Sequence, residues 1–236
     1  MSSLDEFLDD LVVANRILAN EGVVDGFGHV SGRHPDRADR FFLSCSRSPQ
    51  LVTRADLMEY DLDCNPIDQA GRAMYAERPI HGAIYKARPD VHGVVHNHAH
   101  TLIPFGVTAL KLRQLIHTSG GMGREVPVWD IRDKFGDTDL LVTTMAQGDD
   151  LAHRLGANRV ALMRGHGVAV AGMNVRHAVY VSVYVMVNAK LQLEAMKWGE
   201  VSFLTDGEIE ATEKMAASPL SQNRVWEYWK MRCGLA

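Results

Sequence analysis

The chain has 236 residues, 46% of them hydrophobic and 23% charged, with a formal net charge of -4. That length and apolar content suit one compact domain over residues 1–236. Acids and bases are interspersed, so no basic stripe addresses a nucleic-acid backbone, and no apolar run reaches membrane-spanning length. The opening "MSSLDEFLDD" is acidic and polar, unlike a signal peptide, and Cys45, Cys64 and Cys233 are scattered without a CxxC spacing. The expectation is a cytoplasmic protein with reduced thiols.

The first segment carries Leu4, Leu8, Leu11 and Leu18 at helical spacing, with Ser3 and Glu6 as a capping box and Gly22 past the end. "FGHVSGRH" and "RFFLSCS" read as short strands broken by turn residues, and "LVTRADLMEYDLD" as a turn into a third. In "ERPIHGAIYKARPD" Ile80, Ala83, Ile84 and Ala87 predict a helix that Pro79 opens and Pro89 stops. "VHGVVHNHAH" follows as a β-branched strand. After a loop-rich middle holding "TSGGMG", "GDDLAHRLG" reads as a helix and "RVALMRGHGVAVAG" as two apolar runs around a tight turn. A long helix then starts at the cap Asn174 and ends near Gly199. Strands and helices mix without strict βαβ alternation, which points to α/β or α+β with an at least partly antiparallel sheet.

Three histidines, His96, His98 and His100, alternate in "VVHNHAH". Residues two apart on a strand share a face, so His96 and His98 are close enough to hold one cation, while His100 lies too far along. A catalytic zinc site usually takes three protein ligands and keeps one position open. The third donor that fits is His166, set between Gly165 and Gly167, where glycines permit a sharp turn and a close backbone approach. Taken alone it reads as the polar tip of a hairpin. Glu77, just ahead of the helix that runs into the histidine strand, is a candidate proton-exchanging carboxylate; taken alone it reads as a helix-end charge.

The set "GHVSGR … ERPIHGAIYKARPDVHGVVHNHAH … ALMRGHGVAVAG" resembles the class II aldolase/adducin family over nearly the whole chain. The resemblance implies a three-layer α/β/α fold with a mostly antiparallel central sheet. It also implies a homotetramer with active sites at subunit boundaries, acting on a small-molecule substrate. One divalent ion per subunit, zinc, manganese, cobalt or iron, would be held by His96, His98 and His166, with Glu77 as acid/base. The departures from the sugar-phosphate aldolases of that family are specific. His29 stands where "GNxS" has asparagine, Arg47 interrupts the small-residue loop in "SCSRSP", and Tyr75 and Ala76 replace two hydroxyl residues before the glutamate. A phosphate cradle needs dense small donors, whereas the planar fork of an arginine suits a carboxylate.

The combination therefore looks more like the branch with metal-dependent decarboxylases of hydroxylated aromatic dicarboxylates. Breaking a C–C bond beside an oxygen-bearing carbon spreads charge onto that oxygen as an enolate or phenolate, which a divalent ion stabilises. In that reading Glu77 or His117 delivers the proton, His117 facing the substrate across a subunit boundary. Arg47 with Ser46 and Ser48 orients a carboxylate, and His29 either assists or is a turn histidine with a satisfied hydrogen bond. A retro-aldolase on an unphosphorylated substrate uses the same residues. A non-haem iron oxygenase is the alternative from another class, and a non-enzymatic adducin-like module is disfavoured because all four site residues are retained.

Overall fold

The computed structural model describes residues 4–235. Helices α1 (Leu4–Asn20), α2 (Pro79–Ala87), α3 (Ile103–Val107), α4 (Arg132–Phe135), α5 (Met145–Leu155), α6 (Val175–Ala195), α7 (Asp206–Ala217) and α8 (Pro219–Arg232) surround the strands. The strands are β1 (His29–Arg33), β2 (Arg40–Ser44), β3 (Leu57–Asp61), β4 (Gly93–Asn97), β5 (Val128–Trp129), β6 (Val160–Met163) and β7 (Gly167–Gly172). Among the described residues they form one seven-stranded sheet in the order β3-β2-β1-β4-β7-β6-β5. Each neighbouring pair is antiparallel except β5 with β6.

Both faces of this sheet are covered, which is why its strands are apolar nearly throughout. Successive side chains on a strand point to opposite faces. Val95, Val168 and Val170 join a core beneath α1 and α6, built with Leu11, Ile17, Val179 and Val183. Their chain neighbours Val94, Ala169 and Ala171 join a second core beneath α2 and α5, with Ile80, Ile84 and Leu151. The expected three-layer arrangement with a mostly antiparallel sheet is therefore what forms.

The long β-branched segment is helical because its start is capped and its valines are buried. Asn174 Oδ1 accepts from the His177 N–H at 2.7 Å, and Val175, Val179, Val181, Val183 and Val185 lie in the core. The structure differs from the sequence expectation in places, and α6 ends at Ala195 rather than near Gly199. Helix α5 begins at Met145, where Thr144 and Gln147 complete a capping box. Helix α7 was not anticipated, although Thr205 and Glu208 form the same signature at its start. The Ser3 half of the expected first cap lies outside the described residues.

His177 gives this core an acid-sensitive point. Its Nδ1 accepts from the Met173 N–H at 3.2 Å, and burial pushes the imidazole down to about 4. A group whose folded pKa lies below its unfolded value binds fewer protons when folded, so its contribution is present above about 6.5 and is lost as pH falls towards 4. Denaturant unfolding at pH 7 and pH 4.5 should show an acid loss that His177→Gln reduces by roughly 2–3 kcal/mol.

Candidate active site

The site forms where the carboxyl end of β4 meets the turn between β6 and β7. His96 is the penultimate residue of β4, paired with His29 on one side and Ala169 on the other. It is fully buried, and its Nδ1–H donates to the Val168 carbonyl at 3.1 Å. That bond fixes the tautomer and leaves the Nε2 lone pair facing the site.

His98 arrives differently from the sequence expectation. The strand ends at Asn97, so the two histidines are not alternate residues of one straight strand. A turn follows in which the Asn97 side chain accepts from the Ala99 N–H at 3.1 Å. It carries His98 Nε2 to 3.0 Å from His96 Nε2. His166 comes from the hairpin turn, where Gly165 takes a φ of +68°. Its Nε2 lies 3.1 Å from that of His98.

Gly167 makes the approach possible. A Cβ there would overlap the Asn97 carbonyl oxygen and press within 3.0 Å of the His98 ring. Gly167→Ala is therefore expected to cost about 1–3 kcal/mol, lowering the melting temperature by several degrees and metal retention with it; thermal unfolding and metal analysis would check both. Serine at 167 should behave alike, since the overlap is with backbone.

Glu77 precedes α2, its carbonyl accepting from the Ile80 N–H at 3.1 Å. Its Oε1 accepts from the Val142 N–H at 3.1 Å, and its two oxygens lie 3.5 Å from His166 Nε2 and His96 Nε2. Burial alone would raise this carboxyl, but the imidazoles of His166 and His96 beside it hold it well below the usual range. Burial, with His96 and His166 beside it, brings His98 down to about 4. Ligand atoms of Glu77, His96, His98 and His166 all lie within 4.8 Å of one another. Three imidazole nitrogens that face one point as acceptors cannot satisfy each other, whereas a divalent cation would satisfy all of them. The donor set fits such an ion.

A family model, Class II Aldolase and Adducin N-terminal domain, matches residues 9–193. The chain belongs to this family. Among curated relatives within it, Decarboxylase tropJ of Talaromyces stipitatus is 35% identical, covering 91% of this chain and 88% of that one. A 3,4-dihydroxyphthalate decarboxylase of Arthrobacter keyseri is 28% identical over 80% of this chain and 78% of its own length. The solved L-fuculose 1-phosphate aldolase from Glaciozyma antarctica PI12 superposes with a TM-score of 0.79 at 22% identity, covering 98% of this chain and 91% of that one. That likeness shows the shared fold. With decarboxylases matched along most of its length, the chain is a lyase of the class II aldolase family.

Around this cluster lie the residues in which the sequence departs from the sugar-phosphate aldolase pattern. His29 is buried, its ring 5.1 Å from that of His96 and 4.6 Å from that of Tyr75. Tyr75 donates from its hydroxyl to the Arg47 carbonyl. Arg47 itself is drawn to Asp56, at 3.0 Å, and its side chain stays half-exposed. The Ser46 N–H donates to the Ala73 carbonyl at 2.8 Å, and Ser48 heads the short 3-10 turn Pro49–Leu51. His117 is exposed at the start of a second such turn, His117–Met122, packed on α6 and α7, and is not part of the cluster. His92 and His100 are exposed.

His81 and two residues absent from the sequence expectation, Ser31 and Tyr85, lie behind His29. His29 Nδ1 is 2.6 Å from His81 Nε2, Ser31 Oγ is 2.6 Å from His81 Nδ1, and Ser31 Oγ is 2.8 Å from the Tyr85 hydroxyl. Burial lowers both imidazoles, His81 to about 3. The signal was present in the spacing: "HVS" puts two polar groups on one strand face, and "HGAIY" puts two more one helical turn apart.

Proposed function

We propose that this protein is a divalent-metal-dependent decarboxylase of a hydroxylated aromatic or heteroaromatic carboxylic acid. The observation that carries the reading is the convergence of His96, His98, His166 and Glu77 on one point beside His29 and Tyr75. Those two bulky groups stand where an aldolase of this fold would keep small phosphate donors. The names of the relatives support decarboxylation over aldol cleavage.

His96, His98 and His166 would hold one ion per chain, zinc, manganese, cobalt or iron, since an imidazole set suits each of these. Such an ion, when bound, supplies Lewis-acid stabilisation of the oxyanion that develops as the C–C bond breaks. Arg47, with Ser46 and Ser48, orients a substrate carboxylate at the rim. The ring carbon bearing the reacting carboxylate takes up a proton, the bond to that carboxylate then breaks, carbon dioxide departs, and the electron pair returns through the ring to the ortho oxygen as phenolate. Glu77, held ionised, relays that proton from water rather than donating a stored one. His117 serves a neighbouring site in a homotetramer whose active sites lie at subunit boundaries, which is part of the same proposal, as are a single domain over 1–236, a small-molecule rather than nucleic-acid partner and a cytoplasmic location. Among the described residues no helix is long and apolar enough to cross a membrane.

Metal analysis of the purified protein, followed by a carbon dioxide release screen on ortho-hydroxylated aromatic acids, tests the proposal. Stoichiometric metal with carbon dioxide release is expected. Protein that binds no divalent ion would remove the lyase mechanism. Aldehyde or ketone products without carbon dioxide would favour the retro-aldolase, and oxygen consumption with ferrous iron the oxygenase.

A further inference from the structure

Beside the metal ligands runs an internal file of polar groups contributed by two elements. His29 and Ser31 share one face of β1, and His81 and Tyr85 share one face of α2. The four residues are 3%, 0%, 0% and 1% exposed, in that order. Arg33 holds the far end: its guanidinium lies 4.9 Å from the Tyr85 ring centroid and donates to the Tyr85 carbonyl at 2.7 Å.

Sealed from water, this file has to satisfy its own protons, and that requirement sets their direction. Among the described residues the Tyr85 hydroxyl meets the Val94 backbone N–H, which can only donate, and Ser31 Oγ at 2.8 Å, its one side-chain acceptor. A buried O–H without an acceptor is costly, so Tyr85 donates to Ser31. The proton of Ser31 then goes to its remaining neighbour, His81 Nδ1 at 2.6 Å. An imidazole that accepts at Nδ1 carries its proton on Nε2. His81 therefore donates to His29 Nδ1 at 2.6 Å, and His29 in turn holds its proton on Nε2. The reverse order would strand the Tyr85 proton in the core. It would also turn a lone pair on His29 outward, making a fourth ligand nitrogen beside His96. The Nε2 edge of His29 makes no hydrogen bond among the described residues and is not among the fully sealed atoms without a partner.

We propose that His29 presents a fixed Nε2–H donor to an anionic oxygen of the substrate, and that Tyr85, Ser31 and His81 are the positioning residues that lock this proton in place. The identification of that oxygen as a carboxylate or phenolate of an ortho-hydroxy aromatic acid rests on the decarboxylase reading. The direction of the file rests on the four buried groups alone. His29 thus selects for an acceptor oxygen and is kept out of the metal's ligand set, so the site stays at three imidazoles.

Neutron diffraction from zinc-loaded crystals exchanged into heavy water reads the direction without any substrate. Deuterium is expected on Nε2 of both His29 and His81; deuterium on His29 Nδ1 overturns the proposal. Calorimetric titration of salicylate into the zinc-loaded protein reads the function. His29→Ala should weaken binding about tenfold or more, as for loss of a hydrogen bond to a charged group, with zinc content unchanged. Ser31→Ala should weaken it severalfold, because His81 then loses the donor that fixes its tautomer. Loss of zinc in His29→Ala would make His29 a ligand and overturn the donor role, and unchanged salicylate affinity in either variant would overturn that residue's part. If wild-type protein holds zinc but ignores salicylate, the aromatic-acid reading fails, and the neutron map still decides the file.

Discussion

His98→Ala is expected to give a folded protein that retains no divalent ion and releases no carbon dioxide. His98 is the informative ligand to remove because it lies beyond the end of β4 in a turn and is only partly buried. His96, by contrast, is sealed in the core and hydrogen-bonded to Val168, so its loss would damage the sheet as well. With His98 gone, two imidazoles remain, one fewer than catalytic zinc sites usually use. Losing an outer-shell partner of a metal ligand already costs 10–100-fold in affinity, and losing the ligand itself should cost more. Metal analysis after dialysis against a chelator should fall from about one ion per chain to near zero, with the circular dichroism spectrum unchanged. The stabilisation that added metal gives wild type by binding only the folded state should vanish as well. Unchanged stoichiometry would remove His98 from the ligand set and leave the cluster's convergence unexplained.

The parts of this molecule legible in its sequence are those where a local pattern has one physical reading. The cap at Asn174, the proline that opens α2 and the glycines around His166 each answer a backbone need that few other residues meet. The convergence of the three histidines was legible because His96 and His98 are neighbours in the chain and Gly167 permits the contact. A turn held by Asn97, rather than strand alternation, brings His98 round. The file behind His29 is not legible in the sequence, because Ser31 and Tyr85 meet it only when β1 and α2 lie face to face. That packing is a tertiary fact, decided by the apolar residues of both elements rather than by the polar ones. Arg47 shows the opposite limit. Its sequence context suggests a free guanidinium, but the fold supplies Asp56 as a partner at 3.0 Å.

Glu77→Gln should separate proton transfer from metal binding. The amide keeps the volume of the carboxyl and retains an oxygen that can accept from the Val142 N–H, so the loop before α2 has no reason to move. What disappears is the ionised, proton-exchanging oxygen between His96 and His166. If Glu77 relays the proton to the ring carbon, carbon dioxide release should fall by roughly 10²–10⁴-fold, the range general acid–base catalysis supplies. The metal content should stay at wild-type level, because three imidazoles remain. Loss of metal as complete as in His98→Ala would make Glu77 a fourth ligand instead. Full activity in the glutamine variant would end its acid/base role and leave His117 of a neighbouring subunit as the proton source. Glu77→Asp adds a distance test: the charge is kept but withdrawn by one methylene, so an activity loss with metal retained shows that reach, and not charge alone, is what the reaction requires.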